Sequence, residues 1–422
     1  MRHDGPRKQS ARDLSECLLK PAAAAPFFAF AIIGSISRGR FLWGIAVHIQ
    51  TVAVAWHVYE QTRDPLALGF IGLATFLPTV PLSLVTGAIA DHFDRRRVLF
   101  ASYVVMALGS LALVGVSHLD LVWPIYVVVV VIGSARAFTS PAGQALMASL
   151  VPDEEYASAA AWSNSVTQTA TITGPGIGGL LYIFGPTAPF GVSLMCFMVA
   201  AFMAWQIAPR PVKGSRRGVV SWSTLVAGYK FIWACPVILG SITLDLVAVL
   251  LGGATALLPI FAREIFETGP LGLGVLRSMP AVGAILAALF LAHRPLGGGV
   301  GRIMFASVAI YGAATIGFGL STSIWPAMLC LAALGCADVV SVVIRQSLIQ
   351  IETPDAMRGR VIAVHTILTG ASNNLGEFES GLLASFVGAP PAVVIGGVGA
   401  VLAALIWMRL FPALRHRYRI AG

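Results

Sequence analysis

The chain has 422 residues, of which 57% are hydrophobic and only 11% charged, and its mean hydropathy is +0.82. That composition excludes a string of soluble domains, because too few charged side chains remain to cover a water-facing surface, and it makes lipid the main solvent. The formal net charge of +9 would fit nucleic-acid binding in a soluble protein, but its distribution along this chain argues for membrane topology instead.

Residues 1–25 form a polar tail with Arg2, Arg7, Lys8, Arg12 and Lys20. The apolar stretch that begins near Pro26 is too long and too poorly flanked for a cleaved signal peptide, so it is expected to remain as the first helix. Six spans are predicted over residues 27–59, 66–90, 98–117, 122–147, 157–184 and 187–208. The first is overlong and holds Arg38 and Arg40, which places its opening part at the membrane interface. Pro209 to Trp222 carries Arg210, Lys213, Arg216 and Arg217 with no acid and reads as a linker; the mixed segment from Trp222 to Ala234, with Tyr229, Lys230 and Trp233, suits the membrane surface. Six more spans are predicted over 236–262, 270–292, 302–320, 324–350, 359–386 and 390–411. Each apolar run reaches the roughly 17 to 25 residues that cross a hydrocarbon layer about 30 Å thick.

Basic residues recur in alternate connections: Arg95, Arg96 and Arg97, the linker, Arg294 and Arg302, Arg358 and Arg360, and a C-terminal group of Arg409, Arg415, Arg417 and Arg419. The intervening connections hold almost none, Arg63 and Arg263 excepted. The positive-inside rule then puts both termini and the linker in the cytoplasm and requires an even number of spans. The expected division is a cytoplasmic tail (1–25), a six-helix bundle (26–208), a linker with an interfacial segment (209–235), a second six-helix bundle (236–411) and a cytoplasmic tail (412–422). The five cysteines (Cys17, Cys196, Cys235, Cys330, Cys336) form no CxxC pair and read as packing residues, not as a disulfide or metal site.

Internal repetition supports the two bundles. Gln144 precedes Pro152-Asp153 by eight residues and Gln346 precedes Pro354-Asp355 by eight, at an offset of 202. The same offset carries Gly174 onto Gly376, Gly179 onto Gly381, and Leu180-Leu181 onto Leu382-Leu383. Pro65-Leu-Ala-Leu-Gly69 is echoed by Pro270-Leu-Gly-Leu-Gly274 at an offset of 205. Two parallel repeats of six helices follow, twelve transmembrane helices in an all-α membrane protein.

After the second span the chain reads Gly87-Ala-Ile-Ala-Asp91-His92-Phe93-Asp94-Arg95-Arg96-Arg97. Glycine permits close helix approach, the aspartate accepts hydrogen bonds at a helix end, and the arginines anchor at the cytoplasmic face, so the loop has the parts of a conformational latch. It resembles the signature loop of the major facilitator superfamily, GxxxDRxGRR, at Gly87, Asp91, Arg95 and Arg96, and departs from it at His92 and Asp94. Those departures are similar to the branch that includes the enterobactin (siderophore) exporter, whose loops often read ADRFDRRR. Gly174-Pro175-Gly176-Ile177-Gly178-Gly179 in the fifth span is similar to the GPxxGG antiporter motif of superfamily exporters. Further stretches that look like that branch run from Gln50 to Tyr59 and on through Asp64 to Gly69, from Leu244-Asp245 to Pro259, and over Arg358 to Val361. The resemblance implies the major facilitator fold.

Ionisable residues inside spans are few, and each costs about 2.5–3.5 kcal/mol at the bilayer centre. They are Asp245, Asp338, Glu377 and Glu379 among the acids, and Arg136, Arg277 and Arg345 besides Arg38 and Arg40 among the bases. Arg136 and Asp338 occupy equivalent places at the offset of 202. Arg136 resembles the arginine of the superfamily's fourth-helix RxxxG motif, with Ser140 in place of its glycine. It is expected to neighbour a proton-carrying carboxylate, Asp338 or Asp245; a static buried pair that fixes helix register is the alternative. Glu377 and Glu379 lie two residues apart, so at most one faces a given cavity. Arg40, His48, Gln50 and Arg345 are further cavity candidates, a packing role for His48 being the alternative.

The sequence lacks a GxxxxGK(S/T) loop, HExxH, GxSxG and paired CxxC, so no enzyme, resident metal or ATP-driven step is expected. The resemblance implies a proton-coupled exporter of a siderophore or amphipathic drug-like molecule, working by alternating access in a bacterial inner membrane with both termini cytoplasmic. No cofactor is implied beyond the proton gradient. The expected partners are the lipid bilayer, a small-molecule substrate and protons, with no nucleic acid, and the chain is expected to be a monomer. An importer or facilitator on the same scaffold, and a non-transporting sensor or assembly partner, remain the alternatives.

Overall fold

The computed structural model describes residues 25–151, 153–207, 222–294 and 298–417, and within these the side chains of all but 25–36, 80, 83–85, 87, 88, 90–92, 153, 154, 157 and 222–224. The predicted basic tail, the linker charges and residues 418–422 lie outside the described residues.

The first six helices are α1 (Ala25–Thr62), α2 (Pro65–His92), α3 (Arg95–Val116), α4 (Trp123–Leu150), α5 (Asp153–Tyr182) and α6 (Thr187–Gln206). A shorter α7 (Trp222–Ala234) precedes α8 (Pro236–Leu251), α9 (Gly269–His293), α10 (Val300–Gly319), α11 (Ile324–Glu352), α12 (Asp355–Val387) and α13 (Ala389–Leu410). Beyond the Gly252-Gly253 break, the α8 span continues as a 3₁₀ turn (Ala254–Leu257), a short helical stretch (Leu258–Ile260) and a π-helical turn (Phe261–Ile265). α1 is one continuous helix through Arg38 and Arg40, with no break where an interfacial opening part was expected.

Local chemistry sets the ends. Asp64 caps α2 by accepting from the Leu66 amide at 2.9 Å, with Pro65 in the first turn. Asp94 caps α3 by accepting from the Arg96 amide at 3.1 Å, which gives this departure from the superfamily loop a local role. The α1 and α8 spans end on Arg63 and Glu267, both with φ 52°, the left-handed turn that closes a helix.

Packing repeats between the halves. In the first, α1 packs against α5 and α6, α2 against α4, and α3 against α4 and α6; in the second, α8 packs against α12 and α13, α9 against α11, and α10 against α11 and α13. Across the halves α2 packs on α12 and α5 on α9, which are equivalent pairs under the repeat.

Among the described residues, nine helical segments are long and apolar enough to cross a membrane. Large apolar side chains point outward along them, among them Leu108, Leu111, Leu286, Phe290, Leu329 and Leu405, a surface that water would not tolerate. Trp123 and Trp325, 64% and 73% exposed, open α4 and α11 at one end of the molecule, as interfacial tryptophans do. The polar α5 satisfies its hydroxyls internally: Thr167, Thr169, Thr171 and Thr173 each donate to the carbonyl four residues back, at 2.8–3.0 Å.

α7 packs along α12: Leu225 and Ile232 join a buried cluster with Val361 and Val364. The expected C-terminal tail is ordered at its start: Leu414 is buried, the Gly301 amide donates to the Arg417 carbonyl at 3.1 Å, and Arg417 pairs with Glu352.

Candidate functional site

Between the halves lies a cavity of about 360 Å3. Its ionisable lining, among the described residues, is His48 from α1, Arg136 from α4, Arg277 from α9 and Glu377 from α12. Arg277 Nη2 lies 4.0 Å from Glu377 Oε1, an ion pair too long for a hydrogen bond. Arg136 is open to the cavity and feels Glu377 as an attractive charge and Arg277 as a repulsive one. Asn374 lies one turn before Glu377 on the same face. Gln50 donates from Nε2 to Ser110 Oγ at 3.0 Å, tying α1 to α3 at the cavity wall.

A second group of charges sits inside the second half. Asp245 of α8 and Arg345 of α11 pair at 2.6 Å with side chains 6% and 2% exposed. Arg345 Nε donates to His365 Nε2 of α12 at 3.1 Å, which puts the imidazole proton on Nδ1. Asp338 faces the same small cavity as Asp245, with Tyr311 and Ser341 beside them. Among the described residues Asp338 makes no hydrogen bond or ion pair of its own, so the guanidinium of Arg345 pairs with Asp245 and leaves Asp338 as a second carboxylate nearby. Tyr311 also donates to the Gly252 carbonyl at 3.0 Å, at the α8 break.

The halves close on each other at the end that carries the connections 63–64 and 183–186. A Cβ at Gly179 would fall 2.2 Å from the Pro270 carbonyl oxygen, and one at Gly381 would fall 2.7 Å from Gly69 Cα and 2.9 Å from the Pro65 carbonyl oxygen. Only glycine permits approaches this close. Arg263 Nη1 and Glu60 Oε1 pair at 2.9 Å across the halves, and Arg263 lies over the Trp56 ring at 5.5 Å. Tyr59 donates to Glu264, Tyr182 donates to Glu60 at 3.3 Å, and the Tyr182 hydroxyl lies 2.7 Å from His57 Nδ1.

The predicted site residues therefore separate. His48, Gln50, Arg136 and Glu377 meet at the central cavity. The expectation that Arg136 neighbours Asp338 or Asp245 is corrected: the carboxylate across from Arg136 is Glu377, and both aspartates face inward within their own half around Arg345. Offset arithmetic matched their positions along the helices but not the faces they present. Glu379 points away from the cavity, with Ser380 as neighbour, and Arg40 lines a separate cavity of about 190 Å3 with Trp43, Tyr103 and Ser140. In the antiporter-like stretch, Gly174 and Gly178 abut His48 and Ile49 of α1, Gly179 abuts α9, and the Pro175 carbonyl meets Gly274. In the loop after α2, Arg96 stacks over Trp205 at 4.8 Å and Arg97 lies 3.9 Å from Asp94. The side-chain surroundings of Gly87 and Asp91 lie outside the described residues.

The sequence profile of a family described as transmembrane secretion effector, within the major facilitator superfamily, matches residues 22–416. The chain belongs to this family. Among curated proteins it is similar to the multidrug efflux pump Tap of Mycobacterium tuberculosis, 28% identical over 87% of this chain and 90% of that one. It is also similar to the enterobactin exporter EntS of Salmonella paratyphi A, 26% identical over 96% of each. Among solved structures, a bacterial homologue of the human lysosomal transporter Spinster superposes with TM-score 0.76 at 12% identity, over 94% of this chain and 100% of that one. A D-xylose-proton symporter superposes with TM-score 0.67 at 14% identity, over 93% and 99%. The chain is thus a multi-pass membrane transporter of the major facilitator superfamily, with the superfamily's fold, and not an enzyme.

Several parts of this transporter's site escaped the sequence. Arg277 stood out as a charge within a span but not as Glu377's partner; the signal was its place one turn after Gly274, the glycine that meets α5. Arg263 stood out only as an exception among sparsely charged connections, and its partner Glu60 carried no signal.

Proposed function

We propose that the chain is a proton-coupled exporter that carries a small molecule through the cavity between its halves by alternating access, with both termini in the cytoplasm of a bacterial inner membrane. The twelve long helices all span in this reading; α5 and α12 fall short on hydropathy because they bear polar and glycine-rich faces at which the halves meet, whereas the sequence of α2 is as apolar as that of the other spans. The observation that carries it is a charged cavity closed at one end by two equivalent glycine seams, α2 with α12 and α5 with α9. Positive-inside topology makes that closed end periplasmic, so the cavity faces inward. The export sense rests on the relatives named as an efflux pump and an exporter.

Coupling falls to the buried cluster. Asp245 and Asp338 exceed Arg345 by one negative charge, and a bound proton on Asp338 removes that excess. The cluster reaches the cavity mechanically: Asp245 rides on α8, whose break at Gly253 presses on the Gly376 carbonyl beside Glu377, where a Cβ would fall 2.3 Å from the oxygen.

Inverted membrane vesicles test the reading. An acid-inside gradient should drive uptake of fluorescent amphipathic compounds by vesicles that contain the protein, and a protonophore should abolish it. Uptake only by right-side-out vesicles would make it an importer, and gradient-independent equilibration a facilitator.

A further inference from the structure

We infer that the central cavity selects an amphipathic anion, a molecule with an apolar body and a carboxylate or comparable oxyanion. This rests on the reading of that cavity as the substrate site. Among the described residues, Arg136 and Arg277 line it against one acid, Glu377, so one positive charge is uncompensated while His48 is neutral. A guanidinium does not shed its proton to relieve that excess.

Hydrogen bonding points the same way. The 4.0 Å contact between Arg277 and Glu377 is an attraction across a gap, and among the described residues neither guanidinium donates a hydrogen bond. Each carries five N–H donors in a planar fork whose geometry matches an oxyanion. Uncommitted donors of this kind in a low-dielectric site are stabilised by an anion that enters. An organic cation would meet two repelling guanidinia, and the one carboxylate among the described lining residues, Glu377, already lies in the field of both arginines. The first half supplies an apolar patch to the wall, Val54 of α1, Ile71 of α2, Met106 and Leu113 of α3, and Val129 and Ile132 of α4, interrupted by neutral polar groups such as Gln50, Thr51 and Thr75. The two faces together fit an apolar body whose charged end meets the arginines.

Glu377 is then the competitor of the substrate. Its carboxylate sits in the positive field that the substrate's own anion would occupy, so binding displaces Glu377 from Arg277. Removing the glutamate charge should therefore tighten an anion, the reverse of what a cation-binding acid would show.

Binding to the purified full-length protein in detergent, followed by probe fluorescence with empty micelles subtracted, tests this. Three probes share one tricyclic body: anthracene-9-carboxylate, 9-(aminomethyl)anthracene as its ammonium, and neutral 9-(hydroxymethyl)anthracene. The carboxylate should bind about tenfold tighter than the ammonium, the scale of one charge-assisted hydrogen bond. Arg136→Gln and Arg277→Gln should each weaken the carboxylate about tenfold without weakening the ammonium, and Arg277→Lys should retain most of the preference. Glu377→Gln should tighten the carboxylate severalfold. Equal or stronger binding of the ammonium, no binding of the carboxylate to monodisperse protein, or weaker carboxylate binding by Glu377→Gln would each overturn the inference. Should an arginine variant misfold, the wild-type ranking and Glu377→Gln decide. Failure of gradient-driven export in vesicles together with intact carboxylate preference would overturn the transport reading and leave this one standing.

Discussion

Gly179 of α5 stands against the backbone carbonyl of Pro270 in α9, so close that a Cβ at Gly179 would fall 2.2 Å from the oxygen. The equivalent glycine of the second half, Gly381, meets the carbonyl of Pro65, the residue that Pro270 echoes. Gly174 and Gly376, also equivalent, both turn inward onto the first helix of their own half, at His48 and Val249. The sequence repeat is thus a repeat of contacts, and half of it lies at the seam that opens and closes.

Gly179→Ala should disrupt transport through that seam. The obstacle is backbone, not a flexible side chain, so α5 and α9 must separate at an overpacking cost of about 1–3 kcal/mol, which shifts the closed population by about tenfold. Gly176→Ala, three residues away with nothing within 4 Å of the added Cβ, should leave transport near wild type. Vesicle uptake by the two variants at matched expression checks the pair; equal loss in both would mean the seam is not the cause.

The helices were legible because apolar runs and charged breaks mark them: every predicted span but 236–262, whose helix α8 stops at Leu251 and continues irregularly to Ile265, agrees with its helix to within four residues at either end. Among the rest, the largest differences fall at α5 and α12, which begin at Asp153 and Asp355, ahead of where hydropathy rises. Hydropathy reports lipid contact, whereas helices run on into polar first turns. The break at Gly252-Gly253 and the π-helical turn were hidden because the apolar run of α8 continues past the break and into the turn, and its irregularity arises from contact with Gly376 and Tyr311 on other helices. The site was legible as a set of in-span charges and illegible as partners. Glu377 with Arg277, and Asp245 with Arg345 and His365, are settled by helix rotation within each half.

The Glu60–Arg263 pair should hold the closed end shut. Both side chains are partly exposed, 42% and 22%, so the pair is worth about 0.5–1 kcal/mol and its loss shifts the conformational balance only about two- to fivefold. Glu60→Arg and Arg263→Glu alone should each raise the reactivity of an introduced Thr255→Cys toward a membrane-impermeant thiol reagent added at the closed end. The double reversal should bring reactivity back toward wild type. Additive rather than compensating effects would show that the pair does not act as a latch.

Asp245 and Arg345 should matter for stability more than any other ion pair described. Their side chains are 6% and 2% exposed, so truncation of one leaves the other charge buried alone, at about 3–5 kcal/mol. Asp245→Ala and Arg345→Ala should each lower the thermal unfolding midpoint in detergent clearly, while Glu379→Ala, outside this cluster, should change it little. The double Asp245→Leu, Arg345→Leu should recover much of the loss, because apolar packing replaces two charges rather than stranding one. A double variant less stable than either single one would show that the pair is a net stabiliser.

Tyr311 should couple the buried acids to the cavity without taking part in substrate binding. Its ring stands beside Asp245 and Asp338, and its hydroxyl donates to the Gly252 carbonyl at 3.0 Å where α8 breaks. Tyr311→Phe keeps the ring and removes the donor, freeing a backbone carbonyl at about 1–3 kcal/mol if it stays unpaired in a dry interior. The break should then loosen, so that a proton arriving at Asp338 no longer moves α12. The expected phenotype is split: affinity for a cavity ligand near wild type, with gradient-driven accumulation reduced several-fold while downhill exchange persists. Asp338→Asn should give the same split by a different route, since its amide mimics the protonated acid and removes the site of exchange. If Tyr311→Phe lost ligand affinity in proportion to accumulation, the hydroxyl would be shaping the cavity, and the linkage through the α8 break would have to be abandoned.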